Sequence, residues 1–258
     1  MKNLIEHFLL KVPLTYKLAL LFKKNSNPDK LIFTKYVKLG DTVVDCGANI
    51  GLYTNFLRLL VGKHGFVHSF EPIPKTFEEL NFNTKQHSSI NNYRLNMMGL
   101  YDRITSSSAF IPNEISGHAS LGNHSETWKT DSIQKVSIDL TTLDDYFDKH
   151  NLKAVHFIKM DIEGAEINAL EGAKETLQKH KPTLYIEVNS ALLKCFKKTP
   201  LDLIEFLKKI GYQNFYYQDE KPFKFECFEK LVQSENEINT NVVAIAWKIY
   251  LWYNLMSV

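Results

Sequence analysis

One segment constrains this chain more than any other: residues 41–51, DTVVDCGANIG, an apolar run closed by a glycine turn and followed at once by Leu52, Phe56, Leu59 and Leu60 at helical spacing. A short apolar run bounded by turn residues reads as a buried strand, and the periodicity after it reads as a helix with Gly62 as its stop. The same unit recurs. FVHSFEP is a second strand before the helical KTFEELNFNTKQH, and YRLNMMGLYD is a third strand. LTTLDDYFDKH is a short helix capped by Thr141 or Thr142. AVHFIKMDIEG is a fourth strand before the helical AEINALEGAKETLQKH. PTLYIEVN is a fifth, before LDLIEFLKKIGY with its cap at Gly211. NFYYQ and NVVAIA supply two last strands. Strands alternating with helices of this length imply an α/β fold around a mostly parallel sheet. At 258 residues the chain buries a large core without a disulfide or metal staple.

The remaining stretches are read against that alternation. Residues 4–22 carry Glu6, Lys11, Pro13 and Lys17 inside an apolar stretch, which fits neither a signal peptide nor a membrane span. Residues 242–258 are too short and too interrupted to cross a bilayer. Both ends are expected to pack on the domain, with Trp247, Tyr250, Trp252 and Tyr253 offering a membrane-surface or partner face. Residues 1–39 read as a helical extension and 40–258 as the main domain. Residues 103–138 break the alternation for longer than an idle loop would, and read as a lid or substrate-binding insertion. Cys46, Cys195 and Cys227 are too scattered for a disulfide framework or a zinc site and point to the cytoplasm. A formal net charge of +2 argues against a nucleic-acid coating protein.

In a sheet of this kind ligands sit beyond the carboxyl ends of the strands. There Gly47 and Gly51 let the backbone turn tightly, Asn49 tolerates a left-handed conformation, and the helix that follows offers unpaired N–H groups. Asp45 can pair with a ligand ammonium. The run matches neither the dinucleotide nor the P-loop fingerprint. Glu71 ends the second strand, where a carboxylate can accept hydrogen bonds from both hydroxyls of a ribose, and Pro72 and Ile73 offer an apolar surface to an adenine. His68 reads as a strand residue, while His118 and His124 lie in the insertion. GHASLG is one residue too long for a serine nucleophile elbow.

With Lys159-Met160-Asp161-Ile162-Glu163-Gly164-Ala165-Glu166 added, the landmarks DCGANIGLYT, FEP, GLYD, LDDYF, KMDIEGAE and Pro182/Leu184/Glu187 resemble the FkbM family of S-adenosylmethionine-dependent methyltransferases over roughly residues 40–246. The resemblance implies a class I methyltransferase (Rossmann-like) fold with a seven-stranded, mostly parallel sheet. It also implies S-adenosylmethionine as cofactor, with Asp45, Gly47, Asn49, Gly51 and Glu71 at the cofactor positions beside Pro72, and the strand end at Leu100 to Asp102 reaching the adenine; Pro72 is read as cofactor-binding from its apolar surface alone. The fourth strand ends in carboxylates where base N-methyltransferases carry a prolyl-aromatic run. Asp161, Glu163 and Glu187 therefore suit a hydroxyl acceptor, as general base or around a divalent cation, although no metal-ligand motif is assigned. Each has an alternative: Asp161 bonding loop amides or positioning the methionine portion of the cofactor, Glu163 beginning a helix, Glu187 a structural carboxylate. Lys159 is expected to pair with one of these acids. The expected activity is O-methylation of a sugar, glycan or small metabolite, with no nucleic-acid partner. The alternatives are an adenine-dinucleotide oxidoreductase, or a non-catalytic cofactor-binding module that recruits a membrane or glycan-synthesis partner.

Overall fold

Nearly unbroken apolar strands need cover on both faces. The computed structural model, which describes residues 28–87, 90–112, 118–122, 132–218, 225–235 and 237–246, provides it. In chain order the elements are α1 Pro28–Tyr36, β1 Thr42–Cys46, α2 Leu52–Val61, β2 Phe66–Phe70, α3 Pro74–His87, β3 Tyr93–Asn96, β4 Gly99–Leu100, β5 Thr105–Pro112, β6 Ile133–Thr141, α4 Leu143–Lys149, β7 Phe157–Met160, α5 Glu166–Glu171, α6 Lys174–His180, β8 Thr183–Asn189, α7 Ser190–Lys194, α8 Pro200–Lys209, β9 Asn214–Gln218, β10 Phe225–Cys227, α9 Phe228–Ser234 and β11 Asn239–Ile245.

The main sheet runs β10-β9-β11-β8-β7-β1-β2-β3. From β3 through β8 every neighbour is parallel, and β11 enters antiparallel between β8 and β9. Alternation along each strand builds the two covering layers. Val43, Phe157, Tyr185 and Val243 pack with Leu31, Phe33, Phe56 and Leu57 of α1 and α2. Val44, Ile158, Leu184, Ile186 and Val242 pack on the other face with Leu143, Leu170, Leu177 and Leu207 of α4, α5, α6 and α8. Order reverses at β1, which lies between β2 and β7, so the crevice of an α/β sheet opens there.

The α/β class and mostly parallel sheet agree with expectation, and four particulars differ. The sheet has eight strands rather than seven, because Phe225–Cys227 adds an edge strand antiparallel to β9. The expected third strand is two elements. β3 pairs with β2, and after Met97 and Met98 the chain leaves the sheet so that Gly99 and Leu100 pair with Leu140 and Thr141. The expected helix after the fourth strand is broken into α5 and α6 at Gly172, which packs so closely on the Tyr101 carbonyl that a Cβ there would lie 2.0 Å from its oxygen. Within the expected insertion of residues 103–138, residues 105–112 and 133–138 are strand rather than loop: β5 and β6 form an antiparallel pair, joined by β4 into a second sheet. Ala109, Ile111, Ile138 and Leu140 of that sheet enclose Ile73.

Side-chain caps mark some of the helix starts. Thr142, not Thr141, caps α4 by accepting from the Asp145 N–H, and Thr199 with Asp202 forms a capping box at α8. Residues 1–27, His124, Trp247, Tyr250, Trp252 and Tyr253 lie outside the described residues. Among the described residues no helix is long and apolar enough to cross a membrane.

Candidate active site

β1 delivers the chain into the glycine turn. Gly47 has φ +77° and donates to the Phe70 carbonyl at 3.1 Å. A Cβ on it would lie 1.9 Å from the Asp161 carbonyl oxygen, so only glycine lets the turn after β1 pass the turn after β7. Asn49 adopts the left-handed conformation, φ +48°. Its N–H donates to Glu71 Oε2 at 3.0 Å, and the Ile73 N–H donates to Glu71 Oε1, also at 3.0 Å. Glu71 thus ties the turn after β2 to the turn after β1 and keeps one further lone pair on each oxygen. Burial pushes its carboxyl up to about 7, against the pull of those two amides. α2 begins at Gly51 without a side-chain cap, leaving its first N–H groups toward the crevice.

Beneath the turns lies a buried charge cluster. The Lys159 ammonium, 2% exposed, stands 3.6 Å from Asp45 Oδ1 and 3.3 Å from Asp161 Oδ2, and donates to the Gly47 carbonyl at 2.8 Å. Burial opposes its charge, but Asp161 and Asp45 outweigh burial and hold Lys159 above the ordinary lysine range. Asp45 is fully buried and accepts from the Thr54 hydroxyl at 2.6 Å. The Tyr53 ring covers the ammonium at 5.4 Å to its centroid. Tyr53 and Tyr185 both donate to the Asp29 carboxylate, so α1 reaches the edge of the site.

At the end of β7 the turn 161–165 is held by Glu166, which accepts from the Ile162 N–H at 2.9 Å and the Gly164 N–H at 3.2 Å. Glu166, 2% exposed, is a structural carboxylate. Glu163 sits in the left-handed region, φ +56°. Carboxylate oxygens of Asp161, Glu163 and Glu187 all lie within 4.8 Å of one another, and these three groups can hold a divalent cation or share protons. Burial, and after it the neighbouring acids with Asp161 first, pushes Glu163 up to about 8 and Glu187 up to about 9. Near neutral pH both are therefore proton donors. Glu187 Oε2 is buried without a hydrogen-bond partner among the described residues.

A cavity of about 270 Å³ joins the two ends. Gly47, Asn49, Glu71, Pro72, Leu100, Asp161 and Glu163 line it, together with Tyr53, Ile162 and Lys159. Asp45 and Gly51 support the turn from behind, and Glu187 closes the acidic group from β8. Asp102 is drawn aside by Arg103 and Asn168, leaving Leu100 as the lining residue of that strand end. His68 is buried and bonded to the Tyr146 hydroxyl at 2.8 Å, a core residue. Sequence reasoning placed the 103–138 insertion over this edge as a lid or substrate segment but did not name its lining residues Ala109, Ser120 and Ile138, and it missed Leu140 and Tyr53. Alternation of apolar and polar residues over 136–141 (Val136, Ile138 and Leu140) was the available signal for the wall. Nothing local marked Tyr53.

The profile of the Methyltransferase FkbM domain family matches residues 45–213, from the acid near the end of β1 to the residue before β9. Methyltransferase 1 of Beauveria bassiana (strain ARSEF 2860) is 26% identical over 144 residues, 50% of this chain and 57% of that protein. Methyltransferase sdnD of Sordaria araneosa is 22% identical over 157 residues, 52% of this chain and 60% of that protein. The chain thus spans less than two thirds of the length of these curated relatives. The crystal structure of a methyltransferase FkbM from Methylobacillus flagellatus KT superposes with a TM-score of 0.51 at 19% identity, over 94% of this chain and 59% of the other. A SAM-dependent O-methyltransferase from Thermotoga maritima superposes with a TM-score of 0.50 at 13% identity, over 88% and 68%. The fold is that of the class I methyltransferases.

Proposed function

Because the chain belongs to the FkbM methyltransferase family, we propose that it transfers a methyl group from S-adenosylmethionine to a hydroxyl of a sugar, glycan or small metabolite. One observation carries this reading: a single cavity has a buried carboxylate, Glu71, beside open backbone turns at one end and two acids, Asp161 and Glu163, at the other, with Glu187 gathered against them from β8. The first end suits the cofactor. Glu71 retains lone pairs for ribose hydroxyls, and Pro72, Ile73 and Leu100 offer apolar surface to an adenine. When bound, the cofactor supplies a sulfonium methyl open to in-line displacement.

The chain's own residues have the remaining work of binding, alignment and proton removal. Asp161, 38% exposed toward the cavity and paired to Lys159 through Oδ2, accepts the acceptor's hydroxyl proton. Glu163 and Glu187, protonated near neutral pH, donate hydrogen bonds that hold the acceptor oxygen. Lys159 stays charged and keeps Asp161 aimed. Carboxylates in place of an aromatic platform favour a hydroxyl over a nucleic-acid base, and the net charge of +2 agrees. The cysteine pattern supports a cytoplasmic setting.

The test is transfer of labelled methyl from S-adenosylmethionine to a panel of monosaccharides, oligosaccharides and small alcohols, beside thermal shifts with S-adenosylhomocysteine and NAD. We expect labelled ether products, stabilisation by S-adenosylhomocysteine and none by NAD. In Asp161→Asn, transfer falls on the order of 10²- to 10⁴-fold while S-adenosylhomocysteine still binds. Stabilisation by NAD alone, or full transfer by Asp161→Asn, defeats the reading.

A further inference from the structure

The acidic end of the cavity depends on a residue whose backbone is out of place. Glu163 occupies the left-handed region, φ +56°, which a side chain with a Cβ adopts only when its surroundings impose it. Glu166 holds the N–H groups on either side of Glu163, those of Ile162 and Gly164. The carbonyl of Glu163 itself is taken by a residue far away in sequence: the Ser120 hydroxyl donates to it at 2.7 Å.

Ser120 is well anchored for this contact. It is 2% exposed, and its backbone exchanges two hydrogen bonds with Phe110 of β5, Ser120 N–H to the Phe110 carbonyl at 3.0 Å and Phe110 N–H to the Ser120 carbonyl at 2.8 Å. Its Oγ also accepts from the Gly122 N–H at 3.1 Å, which turns the hydroxyl proton toward Glu163. Ala119, Ser120 and Leu121 all face the cavity. The inserted segment therefore does more than roof the site: it grips the turn that carries two of the three gathered acids.

Resting on the methyl-transfer reading above, we propose that Ser120 is a positioning residue. Its hydroxyl clasps the Glu163 carbonyl, holds that residue left-handed, and so keeps the Glu163 carboxyl beside Asp161 and Glu187 for the acceptor hydroxyl. Without the clasp, Glu163 relaxes toward ordinary backbone geometry and swings its carboxyl away from the other two acids. The cofactor end is expected to stay in place, because Glu71 is held by the Asn49 and Ile73 N–H groups.

The test uses the full chain as wild type, Ser120→Ala and Ser120→Thr, with three readouts. The first is hydrogen exchange of the peptide spanning residues 160–166. The second is S-adenosylhomocysteine affinity. The third is kcat and KM for the best hydroxyl acceptor of the panel. In Ser120→Ala we expect faster exchange confined to that peptide and unchanged S-adenosylhomocysteine affinity. We also expect kcat to fall on the order of 10- to 100-fold with little change in KM. Ser120→Thr, which keeps the donor, restores slow exchange and most of kcat. Unchanged exchange in Ser120→Ala, unchanged kcat, or a matching loss of S-adenosylhomocysteine affinity overturns the proposal. If the wild type methylates no hydroxyl in the panel, the methyl-transfer reading fails, and the exchange comparison alone then decides whether the clasp exists.

Discussion

At the scale of single residues, the Lys159 ammonium is enclosed between Asp45 and Asp161, with Asp45 fully buried. A buried charge is tolerable only while its partner remains, and removing one member of such a pair typically costs about 3–5 kcal/mol. Lys159→Met therefore lowers unfolding free energy by about that amount in urea titrations, near its lower end because Asp161 is partly solvated. A loss below about 1 kcal/mol would mean that Asp45 is satisfied by Thr54 alone. Glu71 makes a second prediction. Its carboxyl, raised by burial to about 7 and proposed above to accept ribose hydroxyls, would do so best when ionised. S-adenosylhomocysteine affinity then weakens as pH falls through 7, approaching about tenfold per pH unit once Glu71 is protonated in the free protein. Calorimetric titrations between pH 5.5 and 8.5 should show this slope in wild type and lose it in Glu71→Gln; equal slopes in both proteins would assign the titration elsewhere. Individual acids were readable from sequence because they stand at strand ends, where chemistry collects in such sheets. Ser120 and Tyr53 were not readable, since their importance arises from bonds to Glu163 and Asp29 across 43 and 24 residues.

At the scale of elements, what strand and helix periodicity can convey is which segments are buried, and it identified β1, β2, β7, β8 and their helices. Periodicity is silent on where a continuous pattern must be cut. The pattern 165–180 reads as one helix, yet Gly172 separates α5 from α6 because the Tyr101 backbone occupies the space of a side chain. Likewise residues 93–102 read as one strand, but Gly99 packs where a Cβ would sit 2.7 Å from Leu140 Cδ2, and the last two strand residues join the second sheet. In both places a contact distant in sequence decides the local structure. Gly172→Ala tests the first. Forcing a methyl against the Tyr101 carbonyl shifts α5 or β4 and should destabilise the fold by about 1–3 kcal/mol. Gly40→Ala is the matched control, for Gly40 has open space around it and only its φ of +89° opposes substitution. The two variants compared by thermal melting separate close packing from backbone strain. Equal melting temperatures would show that the Gly172 contact gives way freely.

At the scale of the whole molecule, a formal net charge of +2 conceals a concentration of acid at one edge of the sheet. Glu71 and Glu166 are held near 7, Glu163 near 8 and Glu187 near 9, in each case chiefly by burial. In the unfolded chain all four titrate near the ordinary glutamate value of about 4.3. From there up to about pH 9 these four carboxyls therefore hold more protons in the folded protein than in the unfolded one. Their contribution to stability falls as pH rises through this window. His68, lowered to about 4 by burial, works in the opposite direction, but only up to about the ordinary histidine value of 6.5. Between pH 7 and 9 the carboxyls act unopposed by it, each retained proton contributing at most about 1.4 kcal/mol per pH unit. The urea midpoint of the ligand-free protein should accordingly decline from pH 7 to pH 9, and Glu187→Gln, which cannot ionise, should flatten the decline. A cationic ligand at the acidic end reverses the balance, since it favours the ionised carboxylates that alkaline pH produces. S-adenosylmethionine carries a sulfonium charge that S-adenosylhomocysteine lacks. The melting temperature gained from the first should outgrow that from the second as pH rises from 7 to 9. A constant difference between the two ligands across that range would place the sulfonium away from Glu163 and Glu187, and with it the methyl group that these acids are proposed to serve.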